Sequence, residues 1–232
     1  MDKNTASGRT ELSLEIKSLH VHFLNKSIFK NFSLRVSPGE KVSLSGPSGS
    51  GKSTLMNCIM GFVRPQKGSV RIHGTLLDQN SVWALRRHLG FVPQEPRLGP
   101  GEVAGLLSRP FTYHSNRELK LDENHKKELF DIFQVEKGIL QKNTTELSGG
   151  EKQRVTLISA LLLKRSIYLL DEITSALDNI NSARVIDYLK SQKDLTLLFS
   201  SHDEMILRAS DRIVRLNPPA QKENGSNEII RG

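Results

Sequence analysis

The chain has 232 residues, 37% of them apolar and 25% charged, which is enough to bury a sizeable core as one large domain or a domain with an insertion. Its single cysteine excludes an internal disulfide and a zinc knuckle, and no apolar run approaches the ~18 residues of a membrane span. The net charge of +8 comes from 33 basic and 25 acidic residues with no basic run longer than two, so it reads as a solvated basic surface plus phosphate-binding groups and weighs against nucleic acid as a partner.

Residues 1–10 are polar and lack the apolar core of a secretory signal. From 12 to 23, LSLEIKSLHVHF alternates at Leu12, Leu14 and Ile16, which predicts a strand with one buried face. A second alternating stretch, SLRV, ends at the turn Pro38-Gly39, and KVSLSG (41–46) then runs into a glycine loop, GPSGSGKST (46–54). Beyond the loop, Leu55, Met56, Ile59 and Met60 recur at helical spacing and Gly61 is a natural stop, with Cys58 reading as a small buried hydrophobe. From about 95 to 165 the pattern changes to short helical segments around 102–108 and 125–133 and a longer one from Ser148, which together predict a mostly helical insertion. IYLLDE (167–172) and LTLLFSSH (195–202) are short, almost wholly apolar runs suited to central parallel strands, with NINSARVIDYLKSQ as the helix between them. After Asn217 the chain is polar with two prolines, as in a mobile tail.

The glycine loop fits G-x-x-x-x-G-K-S/T through Gly46, Gly51, Lys52 and Ser53, with Pro47, Ser48, Gly49 and Ser50 between and Thr54 after. Glycines let backbone N–H groups turn inward around phosphates, and the following helix aims its positive end at the same anion. Lys52 would neutralise the outer phosphates and the Ser53 hydroxyl would hold Mg2+. The acidic pair Asp171-Glu172 closes a buried strand, where open parallel sheets place their ligands. Asp171 suits support of the Mg2+, and Glu172 suits orienting or deprotonating a water for in-line attack on a triphosphate. A second glycine stretch, LSGGEKQR (147–154), has no lysine of the phosphate-loop type. Ser148 is a good N-cap, Gly149 and Gly150 allow close approach, Glu151 suits the first turn, and Val155, Ile158, Leu161 and Leu162 lie on one face of the helix beyond.

Taken in order, these motifs make residues 11–217 resemble the nucleotide-binding subunits of ATP-binding cassette (ABC) transporters. Gln94 in FVPQEP matches that family's Q-loop, LSGGEKQR its signature motif, SALD (175–178) its D-loop, and His202 in SSHD its switch histidine. The resemblance implies an α/β P-loop NTPase (RecA-like) with a parallel-sheet core, an N-terminal antiparallel β subdomain and an inserted α-helical subdomain. The core would be 11–94 and 166–217 and the helical part 95–165, between polar tails 1–10 and 218–232. It implies ATP and Mg2+ as cofactors, with Lys52, Gln94, Glu172 and His202 as catalytic groups. Gln94 would reach both Mg2+ and the attacking water, and His202 the γ-phosphate or Glu172. Phe23 aligns with the aromatic residue that stacks on adenine; many relatives carry tyrosine there, and phenylalanine keeps the face without the hydroxyl. Ile173 stands where many relatives have proline, which removes no catalytic group.

For the second glycine stretch the resemblance implies action in trans. Ser148, Gly149, Gly150 and Asp178 would meet ATP held by a second copy, in a two-fold, head-to-tail pair with each ATP between Lys52 of one chain and Ser148 of the other. The expected membrane partner is a separately encoded permease, with the chain on the cytoplasmic face of the cell membrane. ELSGGEKQR and YLLDEITSALD look most like bacterial ATP-binding subunits of metal or iron export. The alternative is a soluble ABC ATPase acting on nucleic acid or the ribosome, against which stands the lack of a long coiled coil, zinc module or tandem cassette.

Overall fold

The computed structural model describes residues 11–23, 26–217 and 229–230; the two expected polar tails lie almost wholly outside them. Two sheets form the frame. The first is antiparallel, in the order β2 (Lys26–Val36), β1 (Leu14–Phe23), β4 (Lys67–Ile72), β5 (Thr75–Leu76). The second runs β10 (Ile229–Ile230), β9 (Arg212–Arg215), β3 (Lys41–Ser45), β8 (Thr196–Ser200), β7 (Ile167–Asp171), β6 (Leu89–Val92), and is parallel except for β10.

The two sheets differ because their sequences do. In β7 and β8 every residue is buried, since both faces are covered, and the apolar run is continuous. Ile167 and Leu169 join a core shared with the antiparallel sheet, whereas Tyr168 and Leu170 join a core shared with the helices on the other side. The parallel sheet is therefore the middle of three layers. Each fully buried leucine or isoleucine in it contributes ~1.5–3 kcal/mol over leaving it exposed. In β1 the buried set is Leu14 and Ile16, then Leu19 and Val21. The alternation slips by one residue at Ser18, which takes a left-handed φ of 47° at a register irregularity, so a bulge keeps both pairs facing inward.

Helix α1 (Lys52–Ile59) follows β3, and Gly61, at φ 71°, closes its end. Cys58 is buried in it, and burial pushes its thiol up to about 11, so it behaves as a packing residue. Helix α2 (Val82–Arg86) precedes β6. Between β6 and β7 come α3 (Val103–Ser108), α4 (Glu123–Ile132), several short 3-10 turns, and α5 (Gly149–Leu161). The apolar face expected on α5 is there, but Leu157 and Ala160 are buried too. The helix packs on β6 as well as on α3 and α4, and so buries more than one side. Helix α6 (Asn179–Ser191) joins β7 to β8, and α7 (Glu204–Ala209) joins β8 to β9. The carboxyl ends of β3, β8 and β7 are neighbours in the sheet, so the segments that follow them meet at one rim.

Candidate active site

A cavity of ≈ 490 Å3 opens at that rim. Its floor is the loop from Gly46 to Gly51, which leads from β3 into α1. A side chain at Gly46 would strike the Leu216 carbonyl, and one at Gly51 would come within 2.6 Å of Ile28 and 2.8 Å of the Phe29 ring. The glycines are therefore required by close approach of β2 and of the segment after β9, which press the loop into a narrow cup. Ser48, Gly49, Gly51, Ser53 and Thr54 line the cup, with the N-terminus of α1 pointing into it.

Lys52 is nearly buried at the start of α1. Its ammonium donates to the Gly46 carbonyl at 2.6 Å and lies 2.9 Å from His202 Nε2. His202 thus reaches the loop from the segment after β8. Its Nε2 also stands 3.8 Å from Glu172 Oε1.

The two carboxylates at the end of β7 diverge. Asp171 is buried and accepts a 2.8 Å hydrogen bond from the Ser53 hydroxyl on Oδ2, while its Oδ1 has no partner among the described residues. Glu172 leaves the strand in a left-handed conformation, φ 47°, anchored by its N–H donating to the Ser200 carbonyl at 2.8 Å. That backbone is costly for a residue with a long side chain, by about 1–3 kcal/mol. It turns the Glu172 carboxylate away from the Asp171 side and towards His202. Burial, the largest influence, raises the Glu172 carboxyl above its ordinary 4.5; His202 and Lys52 pull it back, and Asp171 adds to the rise. Gln94, just after β6 and Pro93, lines the same cavity. The Gln153 side chain on α5 reaches the Pro93 carbonyl at 3.5 Å, tying the stretch before Gln94 to the helix that LSGGEKQR begins.

The structure thus brings Lys52, Ser53, Thr54, Gln94, Asp171, Glu172 and His202 into one cavity. Gly46, Pro47 and Ser50 are not among the lining residues; within the loop the Ser50 N–H donates to the Pro47 carbonyl at 3.1 Å. Phe23 does not line the cavity: it lies 47% exposed at the end of β1, opposite Lys26 in the hairpin register. Ser148, Gly149, Gly150 and Asp178 form a second group, away from the cavity. Ser148 caps α5 in a reciprocal box: its hydroxyl accepts from the Glu151 N–H at 3.3 Å, and its own N–H donates to the Glu151 carboxylate at 2.8 Å. These bonds, first that of the Ser148 N–H and then Lys142, hold the Glu151 carboxyl down to about 2. A Cβ on Gly150 would come within 3.0 Å of the Ala176 carbonyl, so this helix start packs on the loop that ends at Asp178. Asp178 in turn caps α6 through the Asn181 N–H at 2.9 Å. Three further cavity residues, Lys26, Ile28 and Ser200, escape the sequence motifs. The only signal for the first two is their shared parity on β2, which becomes meaningful once that strand is known to cross the loop.

The matching family profile, described as ABC transporter, covers residues 29–175. The ATP-dependent permease MDL1 of Candida albicans is 34% identical over 84% of this chain and 29% of its own length. The lactococcin-A transport/processing ATP-binding protein LcnC of Lactococcus lactis subsp. lactis is 31% identical over 94% of this chain and 32% of its own length. The chain therefore spans less than a third of the length of these relatives. Among solved structures, the dimeric form of a bacterial ABC transporter cassette superposes with a TM-score of 0.79 and 29% identity, covering 94% of this chain and 99% of that one. A dimeric post-hydrolysis state of the same cassette, bound to ADP and Pi, superposes equally well.

Proposed function

The chain belongs to the ABC transporter family as an ABC ATPase domain, and on that premise we propose that two copies close around two ATP and two Mg2+ to drive a membrane-spanning permease. One observation carries the reading. The cavity gathers Lys52, Ser53, Gln94, Asp171, Glu172 and His202, a set suited to binding and attacking a triphosphate, while the second glycine helix start at Ser148 is built and capped but lies outside that cavity. In a head-to-tail pair, Ser148, Gly149, Gly150 and Asp178 of one copy complete the cavity of the other.

In the cavity, Lys52 and the loop N–H groups take the phosphates, and Phe23 at the exposed rim offers its ring to the adenine. The donors around Asp171 suit a hard cation: its orphaned Oδ1, the Ser53 hydroxyl and the Gln94 amide are all oxygen ligands or their supports. Those three residues would hold Mg2+, which when bound neutralises charge on the phosphate oxygens. Glu172 accepts the proton of the attacking water, and its raised proton affinity suits that task. His202, whose Nε2 stands 3.8 Å from Glu172 Oε1, would hydrogen-bond the γ-phosphate or Glu172.

No helix among the described residues is long and apolar enough to cross a membrane. We place the chain against the cytoplasmic face of the membrane, docked to a membrane-spanning permease, a reading supported by relatives named as a permease and as a transport protein. Every group assigned in the cavity and at Ser148 serves the nucleotide, and we assign cargo choice to the permease. Relatives named for lactococcin transport support export and lend nothing to the metal or iron cargo suggested by the motif wording. The test is Ser148→Arg, whose side chain fills the space opposite the partner's phosphate. ATP should shift the unmodified protein to a dimer on a sizing column and leave the variant monomeric with nucleotide bound. A variant that still pairs with ATP sinks the head-to-tail arrangement.

A further inference from the structure

We propose that Lys26 is a second phosphate-binding ammonium, which grips the nucleotide's phosphate chain from the β2 side of the cavity. It rests on the ATP reading above. Lys26 opens β2, and it and Ile28 both line the cavity beside the phosphate loop. Ile28 closes over Gly51. Lys26 lines the cavity, and its Nζ comes within 3.9 Å of where a Cβ on Gly49 would stand. The two ammonium groups therefore meet the loop from different sides: Lys52 from α1, beside Gly46 and His202, and Lys26 from above Gly49.

Lys26 is an exposed lysine with no carboxylate partner among the described residues, as are Lys30, Lys67 and Lys127; its place in the cavity wall sets it apart from them. Lys17, Lys126, Lys142 and Lys164 each meet a carboxylate, and Lys41 donates to two carbonyls. Lys26 has neither kind of partner, although it sits beside a loop already made positive by Lys52 and by the helix end. Like charges gathered this way are unfavourable until a polyanion enters, and a di- or triphosphate is the ligand that relieves all of them together. Lys26 also pairs with Phe23 in the hairpin, so the strand end that carries the ammonium adjoins the exposed aromatic residue.

The test compares Lys26→Met and Lys26→Arg with the unmodified chain by ATP titration over a range of salt. The methionine variant keeps the length of the side chain and removes its charge, and should bind ATP about tenfold more weakly, ~1.4 kcal/mol. Its affinity should also depend less steeply on ionic strength, because one screened charge pair is gone. The arginine variant should recover most of the loss. Equal affinity in the methionine variant overturns the assignment, as does an equal loss in both variants, which would make the effect one of shape. If the unmodified chain binds no ATP, the ATPase reading fails as well, and that result is separate from a failure of Lys26 alone.

Discussion

Glu172→Gln separates binding from chemistry more sharply than any other single change at this site. The substitution keeps size and shape, and it keeps the N–H bond to the Ser200 carbonyl that anchors the left-handed turn. It removes only the ability to accept a proton. A positioned general base is worth roughly 10²–10⁴ in rate, or about 2.7–5.5 kcal/mol at 1.36 kcal/mol per decade. Hydrolysis should fall by at least the lower figure. Nucleotide affinity should hold or tighten, since Lys52 and His202 lose a competing negative charge that stands 3.8 Å from the imidazole. The variant should therefore accumulate as an ATP-bound dimer, read by phosphate release together with sizing chromatography. The pH profile adds a signed check. Burial raises the Glu172 carboxyl above 4.5, and turnover needs its ionised form, so the rate of the unmodified chain falls as pH drops through that raised value. The residual rate of the variant should lack that acidic limb. Hydrolysis by Glu172→Gln within about threefold of normal, far short of the range expected for a lost base, would refute the assignment.

Two further changes test the supports of the site. Asp171→Asn weakens the one buried carboxylate with a free oxygen, and should lower ATP affinity by about tenfold, ~1.4 kcal/mol, with Mg2+ present and leave it unchanged in a chelator; calorimetry under the two conditions decides. Glu151→Gln loosens the reciprocal cap of α5 and should cost about 1 kcal/mol, or roughly 2–4 °C in the thermal midpoint. Because the folded carboxyl is depressed from 4.5 to about 2, its stabilisation is complete above pH 4.5 and is lost as pH falls towards 2, so the variant should lose that part of the acid dependence.

What could be read from the sequence was chemistry carried by local spacing. The loop from Gly46 to Ser53 is legible because strand, glycines and helix are contiguous, and β7 and β8 because burial on both faces leaves an unbroken apolar run. Even the meeting of Ser53 with Asp171, 118 positions apart, follows once β3 and β7 are placed either side of β8. The single-residue backbone choices were not legible. A left-handed φ at Ser18 keeps both halves of β1 facing the core, and one at Glu172 decides that adjacent carboxylates serve different partners. Neither residue type announces such a conformation. Lys26 was hidden for another reason: its relation to Gly49 depends on β2 crossing over the loop, a tertiary fact with no spacing rule. LSGGEKQR falls between these cases. Its cap and helix were readable from the residues, whereas its separation from the cavity was readable only through the family resemblance, because no spacing rule places it in the fold. A glycine helix start held by Glu151 and packed on Ala176 is rigid within its own chain, so it cannot swing across to its own phosphates. In the proposed head-to-tail pair another copy brings its cavity to this group, which would tie closure of the site to pairing of the chains.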